Sequence, residues 1–339
     1  MNSGKRILVT GVGGAPGFDL TRHLIKLGCY VIAADASPLA CGLALPGVTP
    51  CLLPPAGHRS FGTRLLQVCQ TLGPDALLST VEGELPALAG LRAELAGLGV
   101  RTWLPEPDTV ETCGDKAAFH AVLTAREIPT PATFLPHELA DADLRFPLII
   151  KPRRGYGSKH VHPCETAAQA GTLCELVPDP IIQERISGQE FTADCLVDRT
   201  GRAAVILRHR LLVKAGLSVV SRTFHHEEAT TWVQRTLAAV GAAGPCCVQG
   251  FIQHGTGRVV ITEVNARFAG AFPLAEAAGA RLVQQSLHGL FEQPVDHTQL
   301  TYTAGVYLTK GFETVATGTW PPSHILQAHH LAAAAEGTR

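Results

Sequence analysis

The chain has 339 residues, of which 46% are apolar and 17% are charged, and its formal net charge is -1. This length predicts two or three packed modules, and no compositionally biased tract indicates disorder. Near-neutral charge without a basic cluster argues against nucleic acid as the main partner, because neutralising phosphates requires clustered Lys and Arg. The composition therefore favours a small-molecule ligand.

Strand and helix signals alternate over the first hundred residues. Such alternation predicts a parallel sheet with helices on its faces. The first residues run directly into a strand without the apolar region of a signal peptide, and no apolar run reaches the roughly 18 residues that a membrane span needs. We expect a cytoplasmic protein with no membrane partner. The predicted strands cover residues 6–10, 30–34, 76–80 and 100–103, and the predicted helices cover 16–27 and 84–96.

A glycine-rich turn follows the first predicted strand. Segment 11–17, GVGGAPG, together with Asp35 at the end of the next strand, resembles a dinucleotide-binding fingerprint. The spacing fails because Pro16 takes the third glycine position, where a close helix–strand contact leaves no room for a side chain. Proline instead suits the first turn of a helix. We therefore expect a tight turn without an NAD(P) site.

The pattern changes after the linker at 128–131. Short strands with polar turns between them predict antiparallel pairing. Beyond residue 312 the periodicity fades, so we expect a peripheral tail. The predicted strands are 146–151, 159–162, 181–186, 191–197, 203–208, 211–217 and the hairpin 246–253 with 258–265, and the predicted helices are 115–126, 166–176 and 228–240.

The ten cysteines show no spacing typical of a metal site or a disulfide framework. There is no C-x-x-C pair, and Cys246 and Cys247 are adjacent. Reduced thiols are the expected state.

Two lysines stand at positions suited to nucleotide phosphates. Lys116 begins a predicted helix after Asp115, and Lys151 ends an apolar strand. The chain has seven lysines against twenty-one arginines, which makes lysine an uncommon choice here. A compact ammonium suits single phosphate oxygens, whereas a guanidinium fork is wider. An ordinary surface charge is the alternative interpretation for each of them.

A second glycine-rich segment, 153–159 with sequence RRGYGSK, directly follows the strand that ends at Lys151. Glycines let backbone N–H groups approach phosphate oxygens, and a flexible loop can close over a nucleotide. The segment lacks the G-x-x-x-x-G-K-[ST] pattern of a P-loop. Alone, it is a weak indication of a phosphate site.

The last predicted hairpin carries the most specific pattern. Strand periodicity places Glu263, Asn265 and, if the strand continues, Arg267 on one face. A three-residue loop at 255–257 would set Gln249 opposite Glu263. Carboxylate and amide oxygens suit magnesium beside substrate phosphates, and an arginine stabilises a transferred phosphoryl group. A structural polar network is the alternative.

Together these segments resemble the ATP-grasp superfamily, and within it one half of the carbamoyl-phosphate synthetase large subunit and the pyrrolysine-biosynthesis ligase. The resemblance extends from about residue 6 to residue 289. It implies an α/β protein with a Rossmann-like N-terminal (pre-ATP-grasp) domain and a two-subdomain α+β ATP-grasp fold. The implied boundaries are 1–112 for the N-terminal domain, 113–182 and 183–312 for ATP-grasp subdomains A and B, and 313–339 for the tail.

The resemblance also implies a role for each matching residue. Nucleotide contacts would come from Lys116, Lys151, Gly155, Gly157, Ser158, Lys159, Gln183, Glu184 and Ile186, with Glu190 on the ribose. The metal ligands would be Gln249, Glu263 and Asn265. Arg267 would be the catalytic arginine, joined by Lys151 and by Arg210 on the substrate-facing strand.

The implied reaction is ligation of a small-molecule carboxylate to an amine, with ATP and Mg²⁺ as cofactors and Mn²⁺ as a possible substitute. The carboxylate would attack the γ-phosphorus of ATP, and the amine would attack the acyl phosphate, releasing ADP and phosphate. Phosphorylation of bicarbonate or carbamate, and ATP binding without ligase turnover, are the alternatives. A homodimer is a possible assembly.

Two acidic residues follow the predicted strand 76–80. Ligands of open parallel sheets sit at the carboxyl ends of the strands, so Glu82 and Glu84 are candidates to hold a cationic amine. The alternative is that they begin the next helix, where the helix dipole favours acidic residues.

Overall fold

The computed structural model describes residues 4–139, 144–155, 157, 159–311, 313–316 and 326–327. The N-terminal part of the protein is a parallel sheet flanked by helices, with the strands in the spatial order β3-β2-β1-β4. Buried apolar residues fill both faces of this sheet, as parallel sheets require. The elements are β1 Arg6–Thr10, α1 Ala15–Lys26, β2 Tyr30–Asp35, β3 Val48–Leu52, α2 Phe61–Leu72, β4 Ala76–Ser79, α3 Leu85–Gly90 and α4 Arg92–Gly97.

The N-terminal part differs from the sequence prediction in three places. Strand β3 and helix α2 were not predicted; β3 contains Pro50, which weakens the strand signal. The predicted strand at 100–103 forms only a single bridge between Ala76 and Arg101. The predicted helix at 84–96 is broken between α3 and α4, where Gly90 lowers helix propensity.

A small antiparallel sheet follows, in the strand order β5-β8-β6-β7. Its core contains Leu148, Ile150 and Ile182, covered by helix α7. The elements of this segment are α5 Pro107–Gly114, α6 Lys116–Ala125, β5 Thr133–Phe134, β6 Leu148–Pro152, β7 His162–Cys164, α7 Ala167–Leu176 and β8 Pro180–Glu184.

The largest sheet is antiparallel and six-stranded, in the order β13-β12-β9-β10-β11-β14. One of its faces packs on α8 and α6 through residues such as Phe191, Val233 and Phe119. The other face carries the polar residues described below. The elements are β9 Gly188–Val197, β10 Ala203–Lys214, β11 Leu217–Thr223, α8 Glu227–Val240, β12 Gly244–Gln253, β13 Val259–Asn265, α9 Pro273–Ala277, α10 Leu282–Leu290 and β14 Tyr307–Thr309.

The strand predicted at 211–217 is wrong. Strand β10 continues to Lys214, and the chain turns at Ala215 and Gly216, both with positive φ, before β11 begins. Helices α9 and α10 were also missed.

The residues just before the predicted tail, and one short strand within it, pair with the two larger sheets. Strand β14 extends the six-stranded sheet, and a further strand, β15 at Leu326–Gln327, pairs with β3 in the N-terminal sheet. Lys310 contacts Asp19 of α1, so this segment connects the two sheets. Within the described residues, no helix combines the length and apolar character that crossing a bilayer requires.

Candidate active site

The six-stranded sheet carries one row of polar side chains across four strands. Glu263 of β13 lies opposite Gln249 of β12. Gln249 lies opposite Thr192 of β9, which lies opposite Arg208 of β10. Directly opposed residues of antiparallel strands point to the same face. The row therefore forms a polar floor on the face not covered by α8.

The pairing of Gln249 with Glu263 was predicted, but through the wrong loop. Gln253 N–H donates to Arg258 O over 2.9 Å, so the loop has four residues rather than three. A bulge at Thr262 then restores the expected register, since Gly250 pairs with Ile261 whereas Gln249 pairs with Glu263. Gln249 and Glu263 therefore face each other because of the bulge, which the sequence pattern did not predict.

Two of the predicted metal ligands, Glu263 and Asn265, are hydrogen-bonded to each other, and Asn265 accepts a hydrogen bond from the predicted catalytic arginine. Asn265 Nδ2 donates to Glu263 Oε1 over 3.0 Å, and Arg267 Nη2 donates to Asn265 Oδ1 over 2.9 Å. The same Nη2 atom lies 3.2 Å from Glu82 Oε2, which belongs to the N-terminal part of the chain. The structure thus joins Glu263, Asn265 and Arg267 into one cluster that Glu82 reaches from the opposite side.

Glu82 and Glu84 have different environments although they are two residues apart. Both lie in a 3-10 helix at Glu82–Glu84, directly after β4. Glu84 is buried and accepts hydrogen bonds from Ser79 and Thr10. Glu84 is therefore bound within the N-terminal part of the chain, whereas Glu82 contacts Arg267. Burial raises the pKa of Glu82, and the adjacent charge of Arg267 opposes that rise.

Lys151 lies at the end of β6, where its ammonium is withdrawn from water. Its Nζ donates to Gln183 Oε1 over 2.7 Å, and Gln183 Nε2 donates to Thr133 Oγ1 over 2.8 Å. Burial lowers the pKa of Lys151 to about 8; the charge of Glu263 opposes this shift and that of Lys116 adds to it. Glu263 and Lys116 are therefore close enough to Lys151 for their charges to act on its ammonium group.

Lys116 is held against the second glycine-rich loop. Its Nζ donates to Gly155 O over 3.0 Å, and its backbone N–H donates to Arg153 O. Asp115 caps helix α6 and accepts from Arg153 Nε over 2.8 Å. Burial disfavours the Asp115 carboxylate, but the hydrogen bond from Arg153 holds its pKa below the usual range. Of the other predicted loop residues, Gly157 and Lys159 are exposed, and Ser158 lies outside the described residues.

Segment 183–186, which was predicted to contact the nucleotide, connects the two antiparallel sheets. Strand β8 ends at Glu184 and β9 begins at Gly188, so Ile186 lies in the connection between them. Gln183 is engaged by Lys151, and the Glu184 carboxylate accepts from Ala132 N–H over 3.3 Å. The side chains of Gln183 and Glu184 are thus held by hydrogen bonds within the protein.

Glu190 and Arg210 form an ion pair at the end of the polar face. Arg210 Nε lies 3.2 Å from Glu190 Oε1, and Arg210 Nη2 donates to Gly216 O over 2.9 Å. Burial raises the pKa of Glu190, and Arg210 opposes the rise. Gly216 lies against Gly157, so Arg210 links the predicted ribose acid to a turn that touches the loop.

Sequence reasoning missed two ion pairs at this site, of which the first is fully buried. Arg208 Nε donates to Asp194 Oδ2 over 2.7 Å, and both side chains are only 2% exposed. The bidentate clasp between Arg153 and Asp115 was also missed. The alternation of Asp194 with Thr192 along one strand was the only available signal for the first, and the second depends on a contact between distant segments.

The oxygen donors fit a magnesium ion. Glu263 supplies a carboxylate, and Gln249 and Asn265 supply amide oxygens; Mg²⁺ accepts such ligands together with substrate phosphates. The set has one carboxylate, so phosphate oxygens would complete the charge balance. Among the described residues, no three His, Cys, Asp or Glu side chains converge as an alternative metal site.

The first glycine-rich turn is filled by the protein itself. Gly13 N–H donates to Asp35 Oδ2 over 2.7 Å. A Cβ built on Gly13 would lie 2.9 Å from that of Ala40, and one on Gly11 would lie 2.9 Å from Thr80 Oγ1. The turn thus serves helix–strand packing and leaves no cradle for a dinucleotide.

Comparison with known proteins identifies the domain to which this site belongs. Residues 113–271 match the model of the family described as the ATP-grasp domain. This range includes Lys116, Lys151, Glu190, Glu263 and Arg267. The chain therefore contains an ATP-grasp domain, and the superfamily resemblance inferred from the sequence is confirmed.

Solved structures confirm the fold over most of the chain. The L-amino acid ligase from Bacillus licheniformis matches with a TM-score of 0.70 at 20% identity, over 88% of this chain and 77% of that one. The biotin carboxylase domain of Hydrogenobacter thermophilus 2-oxoglutarate carboxylase, solved with MgADP, ADP and bicarbonate, matches with a TM-score of 0.73 at 15% identity, over 89% and 73%. At these identities the likeness shows the fold alone: a Rossmann-like N-terminal part followed by an ATP-grasp fold.

Two further relatives are longer than this chain. The uncharacterized protein y4rH of Sinorhizobium fredii is 27% identical over 190 residues, which are 49% of this chain and 38% of that protein. Rhizobium etli pyruvate carboxylase matches with a TM-score of 0.70 at 17% identity, over 88% of this chain and 30% of its own. The chain thus spans well under half the length of both.

Proposed function

We propose that this protein is an ATP-dependent carboxylate–amine ligase that acts through an acyl phosphate and releases ADP and phosphate. The observation that carries the proposal is the hydrogen-bonded set Glu263–Asn265–Arg267, together with Lys151 and Lys116, because Lys151 is close enough to Glu263 and Lys116 to feel their charges. This set combines oxygen ligands for a metal with cations for the phosphates. The fold likeness to an L-amino acid ligase supports the proposal.

In the first step, a carboxylate oxygen of the acid attacks the γ-phosphorus of ATP, and the bond from that phosphorus to the β-bridging oxygen breaks. Lys151 and Lys116 offset the phosphate charge, and Arg267 stabilises the charge on the phosphoryl group in transfer. Magnesium held by Glu263, Asn265 and Gln249 would supply further charge neutralisation. Loop 153–159 would exclude water from the acyl phosphate.

In the second step, the amine nitrogen bonds to the acyl carbon and the bond from that carbon to the phosphoryl oxygen breaks. The ammonium form first loses one proton to water, because only the neutral amine has a lone pair, and the second proton, lost after the N–C bond forms, leaves with the phosphate as HPO₄²⁻. An adenylate mechanism would instead release AMP and pyrophosphate, so the nucleotide product distinguishes the two.

A second candidate function is phosphorylation of bicarbonate. The structure of the 2-oxoglutarate carboxylase domain, whose fold this chain shares, was solved with bicarbonate and MgADP. This alternative predicts ATP turnover that needs bicarbonate alone.

The proposal is tested by phosphate release from MgATP with a panel of carboxylates, each with and without an amine, and with bicarbonate as a separate arm. We expect phosphate and ADP in equal amounts, dependent on one acid and increased by an amine. Glu263→Gln protein prepared in parallel measures contaminating ATPase activity. Equimolar AMP and pyrophosphate would contradict the acyl-phosphate mechanism, and stimulation by bicarbonate alone would favour the second candidate.

A further inference from the structure

The contact between Glu82 and Arg267 joins the N-terminal part of the chain to the ATP-grasp domain at its reactive centre. The two side chains lie 3.2 Å apart and are 21% and 17% exposed. Within the part of the chain that the structure describes, Glu82 is the only carboxylate that pairs with Arg267. The guanidinium expected to stabilise a phosphoryl group is therefore neutralised by a residue of the protein.

This ion pair must change during the proposed reaction. A phosphoryl group carries more negative charge than one carboxylate and binds a guanidinium through two oxygens, so it competes with Glu82 for Arg267. When Arg267 turns to the phosphoryl group, Glu82 loses its partner in a partly buried place. An unpaired carboxylate there is costly, so the site then favours a new cation.

Among the described residues, Arg267 and Lys116 are the cations that act most strongly on the Glu82 carboxylate. The other charges that act on its carboxylate are Glu263, which repels it, and Lys116, which attracts it. Lys116 already reaches Gly155 O in the phosphate loop, where the nucleotide would engage it. A cationic group of a substrate can then take the place of Arg267 beside this carboxylate.

We propose that Glu82 holds Arg267 until the acyl phosphate forms and then binds the ammonium group of the acceptor amine. This inference rests on the proposed function and deepens it, because it specifies a protonated amine rather than a neutral or anionic acceptor. It also gives an order to the reaction: while Arg267 occupies Glu82, the acceptor has no counter-ion. Glu84 cannot take this role, because Ser79 and Thr10 already bind its carboxylate.

The first test measures the competition for Arg267 directly and needs no knowledge of the acid. Binding of orthophosphate to the MgADP complex is compared between the wild type and Glu82→Gln. We expect the variant to bind phosphate about fivefold more tightly, the size typical of a partly exposed ion pair. The matched control is Glu106→Gln, which removes the ion pair between Glu106 and Arg92 at 2.6 Å and should leave phosphate affinity unchanged.

A double-mutant cycle separates this competition from a general change in charge. In an Arg267→Gln background, the Glu82→Gln change should no longer affect phosphate affinity. An effect of equal size in that background, or unchanged or weaker phosphate binding by the single variant, would overturn the proposal. Failure of the wild-type protein to bind MgADP at all would instead contradict the proposed function.

The second test concerns the acceptor. With the acid identified by phosphate release, product formation is followed with hydroxylamine, which is neutral at pH 8, and with methylamine, which is protonated. For Glu82→Gln we expect kcat/KM to fall about tenfold or more with methylamine and less than about threefold with hydroxylamine, because only the cation uses the carboxylate. Equal losses with both nucleophiles would exclude recognition of an ammonium group.

Discussion

Two glycine-rich turns follow strands in this chain, and they serve opposite purposes. In segment 11–17, the space above the glycines is filled by Thr80, Val81 and Ala40. In segment 153–159, a Cβ built on Gly157 would meet no heavy atom within 4 Å, and one on Gly155 would meet only Pro152 at 3.8 Å. The same composition therefore marks close packing in one turn and open space for a ligand in the other.

Charge separates the two turns as clearly as packing does. The backbone N–H of Gly13, which would otherwise attract a phosphate, donates to the Asp35 carboxylate. The second turn instead borders the ammonium groups of Lys116 and Lys151. A glycine-rich turn thus indicates an anion site when cations of the protein border it.

The largest effect should come from filling the packed turn. We predict that Gly17→Ala lowers the free energy of unfolding by about 3 kcal/mol or more, because the new methyl would overlap the backbone carbonyl of Gly11 and cannot be relieved by a side-chain movement. Chemical denaturation measures the loss. The matched change in the open turn is Gly157→Ala, which should cost only about 1 kcal/mol for its positive φ. Equal losses in both variants would contradict the difference in packing.

The next largest effect should be a loss of turnover when the predicted magnesium site is changed. We predict that Glu263→Gln lowers turnover about 10²-fold or more while the unfolding transition stays near that of the wild type, since the amide can keep the hydrogen bond with Asn265 but loses the charge. Steady-state phosphate release measures the rate, and thermal unfolding checks the fold. Wild-type rates at ordinary magnesium concentrations would remove Glu263 from the metal site.

A smaller effect should appear as a pH dependence. Burial lowers the pKa of Lys151 to about 8, so its ammonium is lost as the pH rises through that value. We predict that MgADP affinity falls about tenfold between pH 7 and pH 9, and that Lys151→Arg removes this dependence, because arginine stays charged. Calorimetric titration at both pH values measures it. A flat profile in the wild type would contradict the role of Lys151.

The lowered pKa of Lys151 also affects stability: whereas nucleotide affinity should fall as the pH rises, the free energy of unfolding should increase. The folded protein binds this proton more weakly than the unfolded chain, whose lysine has a pKa near 10.5. The destabilisation caused by Lys151 is therefore fully present below about pH 8 and disappears as the pH rises towards 10.5. Lys151→Met should remove this trend in denaturation experiments.

The sequence was sufficient for the fold class and for the identity of the cluster Glu263–Asn265–Arg267. Strand periodicity determines which of these side chains share a face, and this information is local. The hairpin loop was mispredicted, and only the bulge at Thr262 made the pairing with Gln249 correct. The local pattern therefore predicted the right partner for Gln249, although it predicted the wrong loop and the wrong pairing between that loop and the bulge.

What the sequence could not supply depends on contacts between distant segments. The pair of Glu82 with Arg267 spans 185 residues and arises where two domains meet. The ion pair of Asp115 with Arg153 likewise requires the end of β6 to lie beside the start of α6. Strand β3 was missed because Pro50 weakens its local strand signal, whereas the break between α3 and α4 has a local signal, Gly90, which the prediction did not use.

The central claim is that the nucleotide binds at the open turn and leaves the packed turn untouched. Hydrogen–deuterium exchange with and without MgADP tests this most directly, because both turns are read in one experiment. We predict slower exchange at 151–159 and 181–190 on MgADP binding, with no change at 11–17. Protection at 11–17 without protection at 151–159 would contradict the account.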